Sequence, residues 1–166
     1  HGAVIVTTGA KEYEPKEYLY GDNEKVITQL ELERRLVTVE DFFTSPGKGL
    51  GTIVMIQCVG SRNDEHPYCS RLCCTEAVKN ALKIKEVSPN TTVYVLYRDM
   101  RTYGFREHYY TLARQKGVVF IRYDKNYKPA VSEDGKKLKI EVLDQTLGIP
   151  ISISSDLVVL STGIVA

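Results

Sequence analysis

Thr52-Ile53-Val54-Met55-Ile56-Gln57 runs into Cys58-Val59-Gly60-Ser61-Arg62, then a polar loop through Pro67, and then Cys69-Ser70-Arg71-Leu72-Cys73-Cys74. The first run is almost continuously apolar, the pattern of a strand covered on both faces. From about Ser70 to Val87 the spacing becomes that of a helix, which Ser88-Pro89-Asn90 ends. Strand, loop and helix in that order begin a parallel crossover unit. The pattern then repeats: Thr92 to Tyr97 reads as a strand, Arg106 to about Lys116 as a helix stopped by Gly117, and Val118 to Ile121 as a strand. Tight connections between such elements predict an α/β fold, a Rossmann-like parallel sheet with right-handed crossover helices in three layers.

Further along, Ala130-Val131, Leu138 to Leu143 and Ile149 to Ile153 are short runs parted by Asp134-Gly135 and Leu147-Gly148. They predict a small antiparallel β-meander over about 129–154. Asp156 to Gly163 returns to a buried strand. In the other direction, Thr28-Gln29-Leu30-Glu31 has capping-box form and opens a helix to about Leu36. Val39 to Gly51 reads as a connection that ends in turn-forming residues. Ala3-Val4-Ile5-Val6 reads as a strand closed by Thr7-Thr8-Gly9-Ala10. Apolar strands this near both ends predict that the chain is part of a longer polypeptide.

The composition excludes several classes. The 166 residues are 43% hydrophobic and 26% charged, ordinary values for a domain with a proper core. A net charge of +1, with the two signs interspersed, does not provide the basic surface that nucleic acid needs. No apolar run approaches the roughly 20 residues of a membrane span, and there is no leader pattern. The expected location is the cytoplasm, where structural disulfides are disfavoured.

The whole cysteine content, Cys58, Cys69, Cys73 and Cys74, nevertheless falls in one segment with the spacing C-x10-C-x3-C-C. It stands where a dinucleotide-binding fold carries its glycine-rich loop. Four thiolates supply the complement of a [4Fe–4S] cube. Neighbouring residues of a helix diverge by about 100°. That strains convergence on a single zinc, which needs sulfurs about 2.3 Å from one point, but suits the separate iron corners of a cube. Zinc, a dithiol/disulfide pair and plain buried thiols stay open as readings. Cys73 shares a helical face with Ala77, Ala81 and Ile84, and Cys58 ends an apolar strand, so both suit a core. Cys69 follows His66-Pro67-Tyr68 in a polar loop, where packing offers it no role.

Other residues carry two readings each. Arg62 and His66 are donors to cluster sulfides or solvated loop residues. Lys79, near the loop end of its helix, faces a flavin or cluster, or is a surface lysine. Arg98-Asp99-Met100-Arg101 follows a strand at the edge where open α/β sheets place ligands; its arginines bind an anion or pair with Asp99 and Glu107. His108, Tyr109 and Tyr110 read as packing residues within a helix.

Ile56 to Arg62 followed by Pro67 to Cys74, with Tyr97-Arg98-Asp99-Met100-Arg101-Thr102-Tyr103-Gly104 and Phe120-Ile121-Arg122-Tyr123, closely resembles the A-subunit family of CoB–CoM heterodisulfide reductases. The resemblance implies the nicotinamide-domain-like insert of a two-dinucleotide-binding, thioredoxin-reductase-like flavoprotein. It implies a [4Fe–4S] cluster on Cys58, Cys69, Cys73 and Cys74, and FAD in the full-length protein. Thr8 and Gly9, Lys79 and Gly163 become flavin-side residues. Residues 1–51 become a flavin-domain-side strand and connection, and 52–166 the cluster-bearing domain. The implied function is electron relay between flavin and clusters, with other reductase subunits and an electron-donor protein as partners, and a homodimeric full-length protein. A zinc- or thiol-bearing interaction domain and a thiol–disulfide domain remain the rivals. The FAD-binding glycine fingerprint, ferredoxin-type cysteine repeats and Gly-x-Gly-x-x-Gly are absent. Nicotinamide binding in the usual manner, and activity of the segment alone, are therefore not expected.

Overall fold

The computed structural model describes residues 2–38 and 51–165. In chain order the elements are β1 (Lys11–Glu12), β2 (Val26–Thr28), α1 (Gln29–Thr38), β3 (Thr52–Val59), α2 (Cys73–Val87) and β4 (Thr92–Tyr97). A 3₁₀ turn over Gly104–Arg106 leads into α3 (Glu107–Gln115). Then come β5 (Val119–Arg122), β6 (Ala130–Asp134), β7 (Lys137–Asp144), β8 (Ile149–Ser155), β9 (Leu157–Thr162) and β10 (Ile164–Val165).

Five strands form a parallel sheet in the order β2-β9-β3-β4-β5. The apolar run of β3 is central, and Ile53, Val54, Met55 and Ile56 are fully buried. Both faces must therefore be covered. On one, Ile27, Met55, Val93 and Val159 meet Ala77, Ala81 and Ile84 of α2 and Leu32 of α1. On the other, Val54, Ile56, Leu96, Val158 and Leu160 meet Leu138, Ile140 and Val142 of β7 and Ile153 of β8. The expected three layers are present, helices, parallel sheet and β-meander. The meander β6-β7-β8 is itself the crossover from β5 to β9. In β7 the residues facing the core alternate with outward ones, as a strand with one covered face requires. Val26, Ile27 and Leu32 lie in the same cores, so β2 and α1 pack as part of this sheet and its helical layer.

The capping box forms as expected. Thr28 N donates to Glu31 Oε2 at 2.7 Å and Glu31 N to Thr28 Oγ1 at 3.3 Å. Three expectations are corrected. Ala3-Val4-Ile5-Val6 is not a strand; Val4, Ile5 and Val6 are 85%, 86% and 76% exposed. An apolar run becomes a strand only where a neighbour pairs with it, and among the described residues this one has none. The second helix starts at Cys73 rather than Ser70, because Arg71 adopts φ +60 and Ser70 Oγ accepts a hydrogen bond from Ile164 N at 2.7 Å. In α3, Tyr110 packs on Phe120, but His108 and Tyr109 face outward. The expected connection over Val39 to Gly51 lies outside the described residues except for Gly51.

Candidate functional site

The carboxyl ends of the parallel strands share one edge. There β4 departs on one side of β3 and β9 on the other, and the crevice at such a reversal is where open α/β sheets hold ligands. β3 delivers Cys58 to this point through an irregularity. Its register with β9 shifts between Ile56 and Val59, and Cys58 takes φ +64. The carbonyl of Gln57 is met by the Tyr123 hydroxyl at 2.6 Å. Gln57 Nε2 donates to Ser161 Oγ at 2.7 Å, and Gln29 Nε2 reaches the same oxygen at 3.0 Å. Asn80 Nδ2 then donates to Gln29 Oε1 at 2.9 Å. A buried polar chain thus braces the strand ends beneath the cysteines.

Between Cys58 and Cys73 the backbone is held in unusual conformations. Arg62 at φ +57 and Arg71 at φ +60 join Cys58 in the left-handed region. Each such side-chain-bearing residue costs on the order of 1–2 kcal/mol, and strain of this kind concentrates at functional sites. Gly60 has φ +65 and faces the ring of Tyr13 with no room for a Cβ. A Cβ on Gly163 would lie 2.8 Å from that of Ser61. Gly163 N donates to Val59 O at 2.8 Å, and Gly163 O accepts from Tyr13 N at 2.8 Å.

The thiols reach this crevice from different directions. Cys73 and Cys74 open α2, whose N-cap Leu72 provides no side-chain acceptor. Cys73 Sγ donates to Thr162 O at the end of β9 at 3.1 Å, and Cys74 Sγ to Asp99 O beyond β4 at 3.7 Å. Cys69 Sγ accepts from Arg71 N at 3.4 Å, and Cys58 Sγ from Arg62 Nη1 at 3.9 Å. Burial pushes the Cys73 thiol up to about 12, with the neighbouring Cys74 and Cys58 adding to it. Burial likewise raises Cys74 to about 11, against an Arg101 backbone amide. Burial raises Cys58 too, opposed by the charges of Arg62 and Arg98. The four sulfurs therefore share one desolvated pocket, each within electrostatic reach of others.

Among the described residues, no three His, Cys, Asp or Glu side chains converge as ligands of a single metal ion. The thiols do not meet at the one point that zinc demands. A cube asks for a wider donor set, with hydrogen bonds to its sulfides. Three buried side-chain atoms lack a partner among the described residues: Gln57 Oε1, His66 Nδ1 and Thr75 Oγ1. Gln57 adjoins Cys58, Thr75 adjoins Cys74, and His66 lies in the loop between Cys58 and Cys69. Four sulfurs, a desolvated pocket and unspent hydroxyl and imidazole groups fit a cluster of that kind.

Arg62 does more than line the loop. Its Nη2 pairs with Asp99 Oδ2 at 2.6 Å, and Arg101 and Arg122 approach the same carboxylate at 3.8 and 3.7 Å. The expected partnership of the arginines with Asp99 is present, whereas Glu107 accepts from Thr102 Oγ1 at 3.3 Å. Lys79 pairs with Glu33 at 2.8 Å and lines a cavity of about 470 Å³ with Cys73, Glu12, Thr162 and Ile164. Thr8 and Gly9 are exposed and lie outside that cavity. Tyr123, Ser161 and the Gln29–Asn80 pair escaped the sequence reading. Their one signal there is a polar residue at the end of an apolar strand or on a buried helix face.

Over 99% of its length the chain is 41% identical to the A subunit of the H(2)/formate:CoB-CoM heterodisulfide,ferredoxin reductase of Methanococcus maripaludis. The chain is homologous to a segment of the heterodisulfide reductase A subunits. The iron-sulfur A subunit of a CoB--CoM heterodisulfide reductase from Methanocaldococcus jannaschii is 41% identical over 98% of the chain. That of the Methanosarcina acetivorans Ferredoxin:CoB-CoM heterodisulfide reductase is 36% identical over 99%. The chain spans about a quarter of the length of these A subunits, 27%, 26% and 25%. No protein-family model matches it. Among solved structures, the thioredoxin reductase of T. acidophilum superposes with a TM-score of 0.58 at 16% identity, over 95% of this chain and 42% of that one. The Kutzneria sp. ornithine N-hydroxylase gives 0.58 at 9%, over 95% and 44%. The A-subunit segment thus has the fold of the thioredoxin-reductase-like flavoproteins. No helix among the described residues is long and apolar enough to cross a membrane.

Proposed function

We propose that this chain is the electron-relay domain of a cytoplasmic flavin- and iron–sulfur-containing oxidoreductase of the heterodisulfide reductase A-subunit type. Cys58, Cys69, Cys73 and Cys74 would hold a [4Fe–4S] cluster, which when bound supplies one-electron transfer. The observation that carries this reading is the gathering of all four thiols at the strand-order reversal of the sheet, in place of a phosphate-binding loop. The protein's own part is to exclude water, to set Arg62 and Arg98 against the thiolate charge, and to present Cys73 and Cys74 at the uncapped start of α2.

On the other side of the pocket, the cavity shared by Cys73, Lys79 and Thr162 is the approach for a flavin held by the rest of the full-length protein. Lys79 is the cation on that side, Gly163 keeps the chain close behind it, and Thr8 and Gly9 belong to a segment that would follow the flavin. The full-length protein is then a homodimer working with other reductase subunits and an electron-donor protein. Thiol–disulfide catalysis fits less well, because it needs a lowered thiol pKa and Cys58, Cys73 and Cys74 are all raised.

Iron and acid-labile sulfide analysis of anaerobically purified full-length protein tests the cluster. The expected result is the loss of one cluster's iron, and of its absorbance near 400 nm, on Cys73→Ser substitution. Iron content that does not change in any of the four cysteine variants would overturn the assignment.

A further inference from the structure

The chain from Arg98 to Arg106 leaves the end of β4 and lies beside the thiol pocket, where Asp99 O accepts from Cys74 Sγ at 3.7 Å. Its charges are unbalanced. Arg62 holds the Asp99 carboxylate at 2.6 Å, whereas Arg122 and Arg101 stand at 3.7 and 3.8 Å, beyond hydrogen-bonding reach. One carboxylate cannot neutralise three guanidinium groups. An adjoining cleft of about 180 Å³ adds Arg98 and Lys125 to the cations and Asp124 to the acids, so positive charge remains in excess.

The same stretch is apolar at its tip. Phe105 is 98% exposed, and Tyr103 and Tyr109 are 61% and 53% exposed. A phenylalanine that bare contributes nothing to the core, and three aromatic residues so close in the chain exceed the scattered single exposures of an ordinary surface. Arginine and aromatic residues together are the composition of protein–protein contact centres.

We infer that this face docks an acidic electron-carrier protein, with Arg101 and Arg122 meeting its carboxylates and Phe105 entering an apolar pocket between them. Charge complementarity selects the partner. A second copy of the chain would bring like charges together, which disfavours self-association through this face. Nucleic acid would be served by a far larger basic surface than a protein of net charge +1 provides. The inference rests on the electron-relay reading for its purpose, since a carrier bound here would sit beside Cys74 and Cys58. Its geometry does not depend on that reading.

The test uses the full-length protein and an acidic plant-type [2Fe–2S] ferredoxin as probe, titrated calorimetrically at low and high ionic strength. Binding is expected to weaken with salt. Arg101→Gln with Arg122→Gln should lower affinity about tenfold at low ionic strength and flatten the salt dependence. Phe105→Ala should lower affinity at both ionic strengths and leave the salt slope unchanged. Lys139→Gln, on the distant meander, should leave binding intact. Protein treated with an iron chelator should bind as untreated protein does, so a failed relay and a failed docking face give different results. The inference falls if no binding is detected, if the arginine or Phe105 variants bind like the parent, if Phe105→Ala instead dissolves a self-associated dimer seen by sedimentation, or if a single-stranded oligonucleotide binds more tightly than the ferredoxin. Unchanged circular dichroism melting curves show that these exposed substitutions spare the fold.

Discussion

The ring of Tyr13 occupies the space in which a side chain on Gly60 would stand. Tyr13 is held there by its own amide, which donates to Gly163 O at 2.8 Å. Gly60→Ala must therefore displace the ring and also hold alanine at φ +65. The expected cost is about 2–4 kcal/mol, read from urea unfolding. Adding Tyr13→Ala should return the steric part and leave the backbone part. A neutral Gly60→Ala would show that the loop has slack that this packing does not suggest.

Tyr123→Phe removes the hydroxyl that satisfies Gln57 O in the buried irregularity of β3. The carbonyl is left without that partner, and a loss of about 1–3 kcal/mol is expected. Because Cys58 is the next residue, its thiol should also alkylate faster in the variant. Equal alkylation rates, with equal stability, would count against the brace.

Thiol titration gives stability a pH dependence at the alkaline end. The folded pKa values of Cys73 and Cys74, about 12 and about 11, lie above their ordinary 9.0. The folded state then binds these protons more tightly than the unfolded state. The contribution is whole below pH 9 and is lost as pH rises through the folded values. Chelator-treated protein should therefore lose stability progressively above pH 9, and Cys73→Ala should flatten that slope. Melting temperatures measured across this range provide the check.

Asp156 governs the acid end from the opposite edge of the sheet. It accepts from Thr52 N at 2.9 Å and Gly51 N at 3.0 Å and pairs with Lys137 at 3.1 Å. Burial alone would raise its pKa, but the Thr52 amide, Lys137 and the Gly51 amide outweigh it and hold the carboxyl below its ordinary 3.8. Its stabilisation is present above that value and fades as pH falls through the lower folded value. Asp156→Ala should cost about 1–2 kcal/mol near neutrality. Cluster content should not change, because Asp156 stands at the amino ends of the strands. A variant that loses iron as well as stability would refute the separation of the two edges.

The sequence made the parallel core legible because β3, β4 and β9 are dense apolar runs and α2 has helical spacing up to a proline. The meander was legible through Asp134-Gly135 and Leu147-Gly148, where Gly135 and Gly148 do take positive φ. Ala3 to Val6 misled because apolarity signals burial without saying what does the burying. The start of α2 misled because nothing local announces the left-handed turn at Arg71. The grouping of the cysteines was visible as spacing. Their bracing was not: Tyr123 lies 66 residues from Gln57 and Ser161 lies 132 from Gln29, contacts that only the folded topology creates.

The position of β9 has a consequence for synthesis. It separates β2 from β3, so Val26, Ile27 and Thr28 have no neighbour in the sheet until residues 157–162 have been translated. The same strand brings Thr162 O to Cys73. A ribosome-bound chain therefore carries all four cysteines well before the strand that closes over them, and pairing across so long a separation is slow to form. The interval between these two events is a window in which maturation machinery can reach the thiols from solvent.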